Sequence, residues 1–352
     1  MITIHSKLKD YSIEFSEDLS SDDFLEYDFT IVDAKVYKLH LNIFPLLSED
    51  RVIAVEVDEG KKTLEFVSEV LAKMVSVGLN KHSKIAAIGG GVIQDLSGFV
   101  ANIYFRGVAW DYFPSTLLAM GDSCIGGKTS INFMSSKNIL GTFYPPEKIV
   151  AYIPFLSTLP RSDYMSGLSE VVKINLVEPD VSLHKVVGLA SSASVEDGSL
   201  SSLIESTLQI KKDIIEEDEF DTGKRNLLNF GHCVGHALEN TSHFTIPHGL
   251  AVLVGMGVSA YISSELGFCS SEFASEFARE LDDFYLVDTA DSYLVDKEII
   301  SLMLKDKKRI MDGLSVVCPL EQGGLRLEHD ISINVVTAAI EKYKGRFLNE
   351  QK

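Results

Sequence analysis

The sequence predicts two domains of different class, an α/β domain over residues 1–150 and an all-α domain over 151–352. Three observations predict this. Short β-rich stretches alternate with helical patterns in the first part. One of those stretches runs through three adjacent glycines into a helix. Beyond Leu156 the strand signal fades, and apolar residues recur at helical spacing.

The strands Phe29-Thr30-Ile31-Val32-Asp33 and Arg51-Val52-Ile53-Ala54-Val55 are followed by a helical apolar period from Leu64 to Val77, the rhythm of a largely parallel sheet. Lys84-Ile85-Ala86-Ala87-Ile88 reads as a buried strand that enters Gly89-Gly90-Gly91, with a helix beginning near Val92 and Asp95 in its first turns. Glycines there let backbone N–H groups approach a pyrophosphate, and the helix N-terminus adds a partial positive charge. The spacing is not G-x-G-x-x-G, so a dinucleotide site depends on the residues that accompany the turn. Tyr144-Pro145-Pro146 is a stiff extended break suited to a crossing between domains. After it, helical periods run from Val181 to Leu189, Leu203 to Ile215, Cys233 to Leu238 and Ala251 to Leu266, with the serine-rich stretch Ser191 to Ser202 as a flexible surface loop.

Composition narrows the function. A chain of 352 residues with 45% hydrophobic content can bury a core in each of two domains. The net charge of -19 disfavours nucleic acid and anionic membranes as partners, so an anionic ligand needs a local basic pocket. No N-terminal leader pattern or long apolar run is visible, and Cys124, Cys233, Cys269 and Cys318 include no Cys-x-x-Cys pair, which together suggest a cytoplasmic protein with reduced thiols. Any bound metal should then take nitrogen and oxygen ligands.

Such ligands are present. Gly231-His232-Cys233-Val234-Gly235-His236 sets two imidazoles four residues apart on one helix face, and Pro247-His248-Gly249 brings a third at a turn. Gly167-Leu168-Ser169-Glu170 supplies a carboxylate, with Lys173 one turn on, and a histidine pair completed by a carboxylate is a common catalytic zinc set. Cys233 points away from the imidazole face and is expected in the core. In the first domain, Gly126-Gly127-Lys128-Thr129 offers bare backbone donors beside an ammonium, a combination suited to phosphate.

The segments Gly89 to Asp95, Tyr104-Phe105-Arg106-Gly107-Val108, Pro114-Ser115-Thr116-Leu117-Leu118, Asp122 to Thr129 and Lys137-Asn138 stand in the order and spacing of the 3-dehydroquinate synthase family, which this chain resembles over nearly its whole length. The resemblance implies a dehydroquinate synthase-like fold, a Rossmann-like NAD-binding domain and an all-α metal-binding domain. It assigns NAD contacts to Asp33, Glu59, Lys62, Gly90, Gly91, Val92, Asp95, Ser115, Thr116, Leu118, Asp122, Ser123, Thr158 and Leu159. It makes Glu170, His232 and His248 the ligands of zinc, or of cobalt in its place. Lys128, Lys173, Lys211, Arg225, Asn229 and His236 become catalytic groups, and Arg106, Lys137, Asn138 and Lys307 substrate contacts.

The implied reaction converts 3-deoxy-D-arabino-heptulosonate 7-phosphate to 3-dehydroquinate and phosphate, with NAD consumed and restored in each turnover, in a homodimer. Arg106, Lys128, Lys137, Lys173, Lys211, Arg225 and Lys307 are expected to converge on this doubly anionic substrate in a groove between the domains. Asp221, Leu250, Lys35 and Pro145-Pro146 depart from the commonest family pattern. Two rivals share the parts: a sister sugar phosphate cyclase acting on another heptulose or hexose phosphate, and an NAD- and metal-dependent polyol dehydrogenase.

Overall fold

A computed structural model describes residues 1–44, 48–134, 136–294, 296–307 and 314–346. The strands are β1 (Ile2–Ile4), β2 (Tyr11–Ser16), β3 (Phe29–Asp33), β4 (Val52–Val55), β5 (Lys84–Gly89), β6 (Ala109–Pro114), β7 (Lys128–Phe133), β8 (Ser136–Phe143), β9 (Lys148–Tyr152), β10 (Leu314–Pro319) and β11 (Leu325–Ile331). The helices are α1 (Ala34–Leu39), α2 (Leu64–Ser76), α3 (Gly91–Ile103), α4 (Arg161–Asn175), α5 (Leu183–Ser192), α6 (Ser199–Glu217), α7 (His232–Thr241), α8 (His248–Glu265), α9 (Ser271–Phe284), α10 (Ala290–Tyr293), α11 (Asp296–Lys307) and α12 (Ile333–Lys344). They form two compact units: Met1–Pro160 with Lys211–Glu219, and Arg161–Ile210 with Phe220–Lys352.

The first unit is built on a seven-stranded sheet of order β1-β2-β9-β6-β5-β3-β4, parallel except for the β1–β2 pair. The inner strand β5, flanked by β6 and β3, is apolar after Lys84 and buried from Ile85 to Gly89, as a parallel strand covered on both faces must be. β9 pairs with β2 and β6, which carries this unit past residue 150 to Pro160. Chain connections part at one point, since β3 leads outward to β4 while β5 leads to β6 on its other side. Ligands of open α/β sheets bind beyond the C-terminal strand ends at such a point. Here it is flanked by Asp33 and Gly89. An antiparallel hairpin, β7–β8, which sequence analysis does not anticipate, packs on α3.

In the second unit α8 is buried at every residue from Gly249 to Ser263, so its apolar character all round matches a central helix enclosed by α4, α7, α9 and α12. The unit is helical with one addition, the antiparallel hairpin β10–β11 beside α8. The serine-rich loop is shorter than expected, because α5 continues to Ser192 and α6 begins at Ser199. Among the described residues no helix is long and apolar enough to cross a membrane.

Candidate metal and dinucleotide sites

In the second unit, α4 carries Glu170, α7 begins with His232 and reaches His236 one turn later, and α8 begins with His248. Glycines bring these helices close. The N–H of Gly249 donates to Ser166 Oγ at 2.8 Å, and a Cβ at Gly249 would stand 1.9 Å from the Ser166 carbonyl oxygen. That contact seats the start of α8 one turn from Glu170. A Cβ at Gly255 would stand 2.0 Å from the Gly231 carbonyl oxygen, and Gly231 itself has φ 76°, so α7 can start against α8.

The ring nitrogens of His232, His236 and His248 can lie within 4.8 Å of one another. Glu170 is fully buried, its Oε1 3.4 Å from His248 Nε2 and 4.0 Å from His232 Nε2. Neither of its oxygens has a hydrogen-bond donor in good geometry. A buried carboxylate met by the Lys173 ammonium but by no hydrogen-bond donor in good geometry still has lone pairs to satisfy, and a divalent ion held with imidazoles satisfies them, so Glu170, His232 and His248 fit zinc. His236 clusters with His232 and His248, and Glu170 lies against the same two imidazoles.

The surroundings prepare these ligands. Burial would raise the Glu170 pKa, but the Lys173 ammonium, in direct contact with its carboxylate, and His248 hold it below the usual range. His232 is driven well below its ordinary value by burial and by Lys173, which keeps it neutral. Its Nδ1 lies 3.2 Å from the Phe230 carbonyl and His248 Nδ1 lies 3.0 Å from Glu239 Oε2, which directs each Nε2 toward the carboxylate. Glu239 is a residue that sequence reasoning missed. Its place seven residues after His232 on the same helix is the available signal.

In the first unit the Gly89-Gly90-Gly91 turn joins β5 to α3, with Gly90 as the N-cap of a 13-residue helix. A Cβ at Gly91 would meet only Ser123 Oγ, at 4.0 Å, so space is open above the turn. Ser115, whose N–H donates to the Gly89 carbonyl at 2.9 Å, keeps a buried hydroxyl with no partner. Free helix N–H groups, an open glycine surface and a buried unpaired hydroxyl fit the pyrophosphate of NAD. Thr116 Oγ1 accepts from the Ala119 N–H at 3.2 Å. Leu118 precedes a π-turn, Ala119–Ser123, that carries Asp122 and Ser123. Gln94 ties that turn to α3 through the Ser123 carbonyl and hydroxyl at 2.6 and 2.7 Å.

Asp33 caps α1 by accepting from the Lys35 N–H, and burial raises its pKa. Lys62, 3% exposed, lies 2.7 Å from Asp95 and 3.2 Å from Glu59, which hold it charged against the opposing effect of burial. Thr158 ends a 3-10 turn followed by Leu159, its hydroxyl donating to the Phe155 carbonyl at 3.0 Å.

The expected cations differ in state. Lys128 is exposed after Gly126 and Gly127, both at positive φ, and begins β7, while Lys137 and Asn138 lie on β8. Arg106 is exposed at the end of a short 3-10 turn, with φ 64°. Lys211 is buried on α6 and pairs with Asp122 Oδ1 at 2.6 Å and with its carbonyl. Lys173 is buried against Glu170. Both lysines therefore already face a carboxylate. Arg225 is buried in the 3-10 turn Lys224–Asn229, and Asn229 is exposed. Lys307 ends α11, and its side chain lies outside the described residues. Cys233 is half-buried rather than in the core, since it flanks α7 beside the imidazole face.

The family model for the N-terminal part of 3-dehydroquinate synthase matches residues 52–166, and the model for its C-terminal part matches residues 167–309. The 3-dehydroquinate synthase of Dictyoglomus thermophilum is 33% identical over 321 residues, covering 91% of this chain and 90% of the relative. The fold is shared with 2-epi-5-epi-valiolone synthase from Streptomyces hygroscopicus, a structure with NAD+ and Zn2+ bound, at TM-score 0.82 and 21% identity over 98% of this chain and 99% of that one. It is shared too with 2-deoxy-scyllo-inosose synthase complexed with carbaglucose-6-phosphate, NAD+ and Co2+, at TM-score 0.81 and 22% identity over 97% and 99%. With both of its halves matched and a relative a third identical over nine-tenths of either sequence, this chain belongs to the 3-dehydroquinate synthase family.

Proposed function

We propose that this chain is a 3-dehydroquinate synthase, converting 3-deoxy-D-arabino-heptulosonate 7-phosphate to 3-dehydroquinate and phosphate with NAD and zinc, cobalt serving as a substitute. The observation that carries the reading is the meeting of buried Glu170 with His232 and His248, on a chain whose two halves both match the family. A divalent ion held by those three residues would supply a Lewis acid to a substrate hydroxyl. NAD on the glycine turn would supply a hydride acceptor that is regenerated before product leaves.

The protein's own groups do the rest. Lys173 offsets the Glu170 charge and so limits how much negative charge the ligand set presents to an anionic substrate. His236, beside His232 and His248, orients the hydroxyls that meet the ion. Lys128 and the preceding Gly126 and Gly127 give an ammonium and bare backbone to the phosphate as it departs. Lys137, Asn138 and Arg106 hold that phosphate, Lys211 steadies developing negative charge, and Arg225, Asn229 and Lys307 take the carboxylate end. Asp33, Glu59, Lys62, Gly90, Gly91, Val92, Asp95, Ser115, Thr116, Leu118, Asp122, Ser123, Thr158 and Leu159 hold the dinucleotide. The enzyme works as a cytoplasmic homodimer in the biosynthesis of aromatic amino acids, a setting that suits widely spaced cysteines and an acidic surface.

The second reading, a sister cyclase on a sugar phosphate without a carboxylate, is favoured by the fold shared with valiolone synthase and by the shorter acid at Asp221. Offering the heptulosonate phosphate, a neutral heptulose phosphate and glucose 6-phosphate in parallel separates the two. Phosphate release with a product of dehydroquinate mass is expected from the first alone, and release from a neutral sugar alone would replace this reading with the second. Net NADH accumulation with a polyol would point instead to a dehydrogenase.

A further inference from the structure

The β7–β8 hairpin breaks its ladder once. Pairing passes from Ile131–Leu140 to Phe133–Ser136, which leaves Asn132 out of register. Such an irregularity re-aims the side chain of the odd residue. The Asn132 backbone N–H donates to the Lys62 carbonyl at 2.6 Å. Its side-chain amide then acts at both ends. Nδ2 donates to the Glu59 carbonyl at 2.9 Å and lies 3.2 Å from Glu59 Oε1, while Oδ1 accepts from the Asn138 backbone N–H at 2.9 Å.

Asn138 needs that support, because it sits at φ 53°, a left-handed conformation that asparagine tolerates and most residues avoid. Its own Oδ1 accepts from Lys62 Nζ at 2.7 Å and lies 2.9 Å from the Ser130 hydroxyl. Ser130 in turn donates its N–H to Asp95 Oδ1 at 3.0 Å, and Lys62 pairs with Asp95 and Glu59. All of these residues lie in the first unit. One amide thus fixes both the loop carrying Glu59 and the strand carrying Lys137 and Asn138.

We infer that Asn132 is a positioning residue that couples the dinucleotide-side groups Glu59, Lys62 and Asp95 to the substrate-side pair Lys137 and Asn138, so that NAD and a phosphate-bearing ligand each strengthen the other's binding. The inference rests on the proposed function for which groups meet which ligand. Only an amide serves both ends. Aspartate in its place still accepts from the Asn138 N–H but cannot donate to Glu59, and it sets a second carboxylate against Glu59. Because coupling between two ligands is reciprocal, it can be read from either one.

NAD is titrated calorimetrically into the metal-loaded full chain, with and without saturating inorganic phosphate, in the wild type, Asn132→Ala and Asn132→Asp. Phosphate is expected to tighten NAD on the order of fivefold in the wild type, and to change it by about onefold in both variants. A variant ratio equal to that of the wild type overturns the inference, as does a wild-type ratio of one. A merely structural asparagine would show a lowered melting temperature in the alanine variant and recovery of both melting temperature and ratio in the aspartate variant, which also overturns it. No turnover is needed for the titration, so failure of the same preparations to release phosphate from the heptulosonate phosphate would sink the proposed function separately.

Discussion

Glu170 faces two demands that conflict, since its carboxylate is removed from water yet must stay ionised in its proposed role of holding a cation. Lys173 resolves the first, and the imidazoles prepare the second. Glu239 acts one step further out by holding His248 Nδ1. Glu239→Gln should therefore weaken metal affinity by about 10- to 100-fold, as measured by competition with a chromogenic chelator; unchanged affinity would make Glu239 an ordinary surface acid. The same contacts predict proton release. Burial would lower the His248 pKa, but the neighbouring carboxylates of Glu170 and Glu239 outweigh it and raise it above the ordinary 6.5. The ion-free site then keeps a proton near neutral pH, and a metal must displace it. Uptake at pH 7 should release a proton, and affinity should rise as pH climbs from 6.5 toward the raised value. Calorimetry in buffers of different ionisation enthalpy reads that count, and zero release contradicts the arrangement.

At the scale of elements, two glycine contacts set the distance between the helices that bear the ligands. Gly249→Ala forces a Cβ into the Ser166 backbone and Gly255→Ala forces one into the Gly231 carbonyl, with no flexible side chain to yield in either case. Each should cost about 1–3 kcal/mol in unfolding free energy. Gly249→Ala should also weaken metal binding, because α8 can relieve the clash only by moving His248 away from α4. Denaturant melts and the chelator competition test this, and a Gly249→Ala protein with wild-type stability would show that the close approach is absent. Of these helices, α7 was legible from its imidazole spacing and α8 from its long apolar run, while α4 was marked only by Glu170 and Lys173 one turn apart. The hairpins were not anticipated. Leu325–Ile331 does alternate, with Leu325, Leu327 and Ile331 against Arg326, Glu328 and Asp330, a strand signal missed within a half read as helical, whereas Lys128–Phe133 begins directly after a glycine pair that reads as a loop. The irregularity at Asn132 depends on pairing between strands and has no local sequence signal. Lys211 was legible as a cation, but its pairing with Asp122 spans 89 positions in sequence and becomes visible only once the fold is formed.

For the molecule as a whole, ligand chemistry divides along the chain. The proposed metal residues Glu170, His232 and His248 all fall in the second unit, whereas the residues proposed for the dinucleotide, Gly90, Gly91, Ser115 and Asp122, fall in the first with Asn132 and with Lys211 from α6. A ligand stabilises the native state by about 2.7 kcal/mol when present at a hundred times its dissociation constant, and local opening is suppressed most where the contacts are made. Hydrogen exchange should therefore give two distinct footprints. Zinc added to the metal-free protein should slow amides most in α4 and at the starts of α7 and α8. NAD should slow them most at residues 89–95, at 115–123 and in the β7–β8 hairpin. In Asn132→Ala the hairpin should drop out of the NAD footprint while the glycine turn remains protected, because the turn holds the pyrophosphate without that amide. Strongest NAD protection on α7 and α8, with none at the glycine turn, would place the dinucleotide in the wrong unit and remove the basis for the assigned cofactor residues.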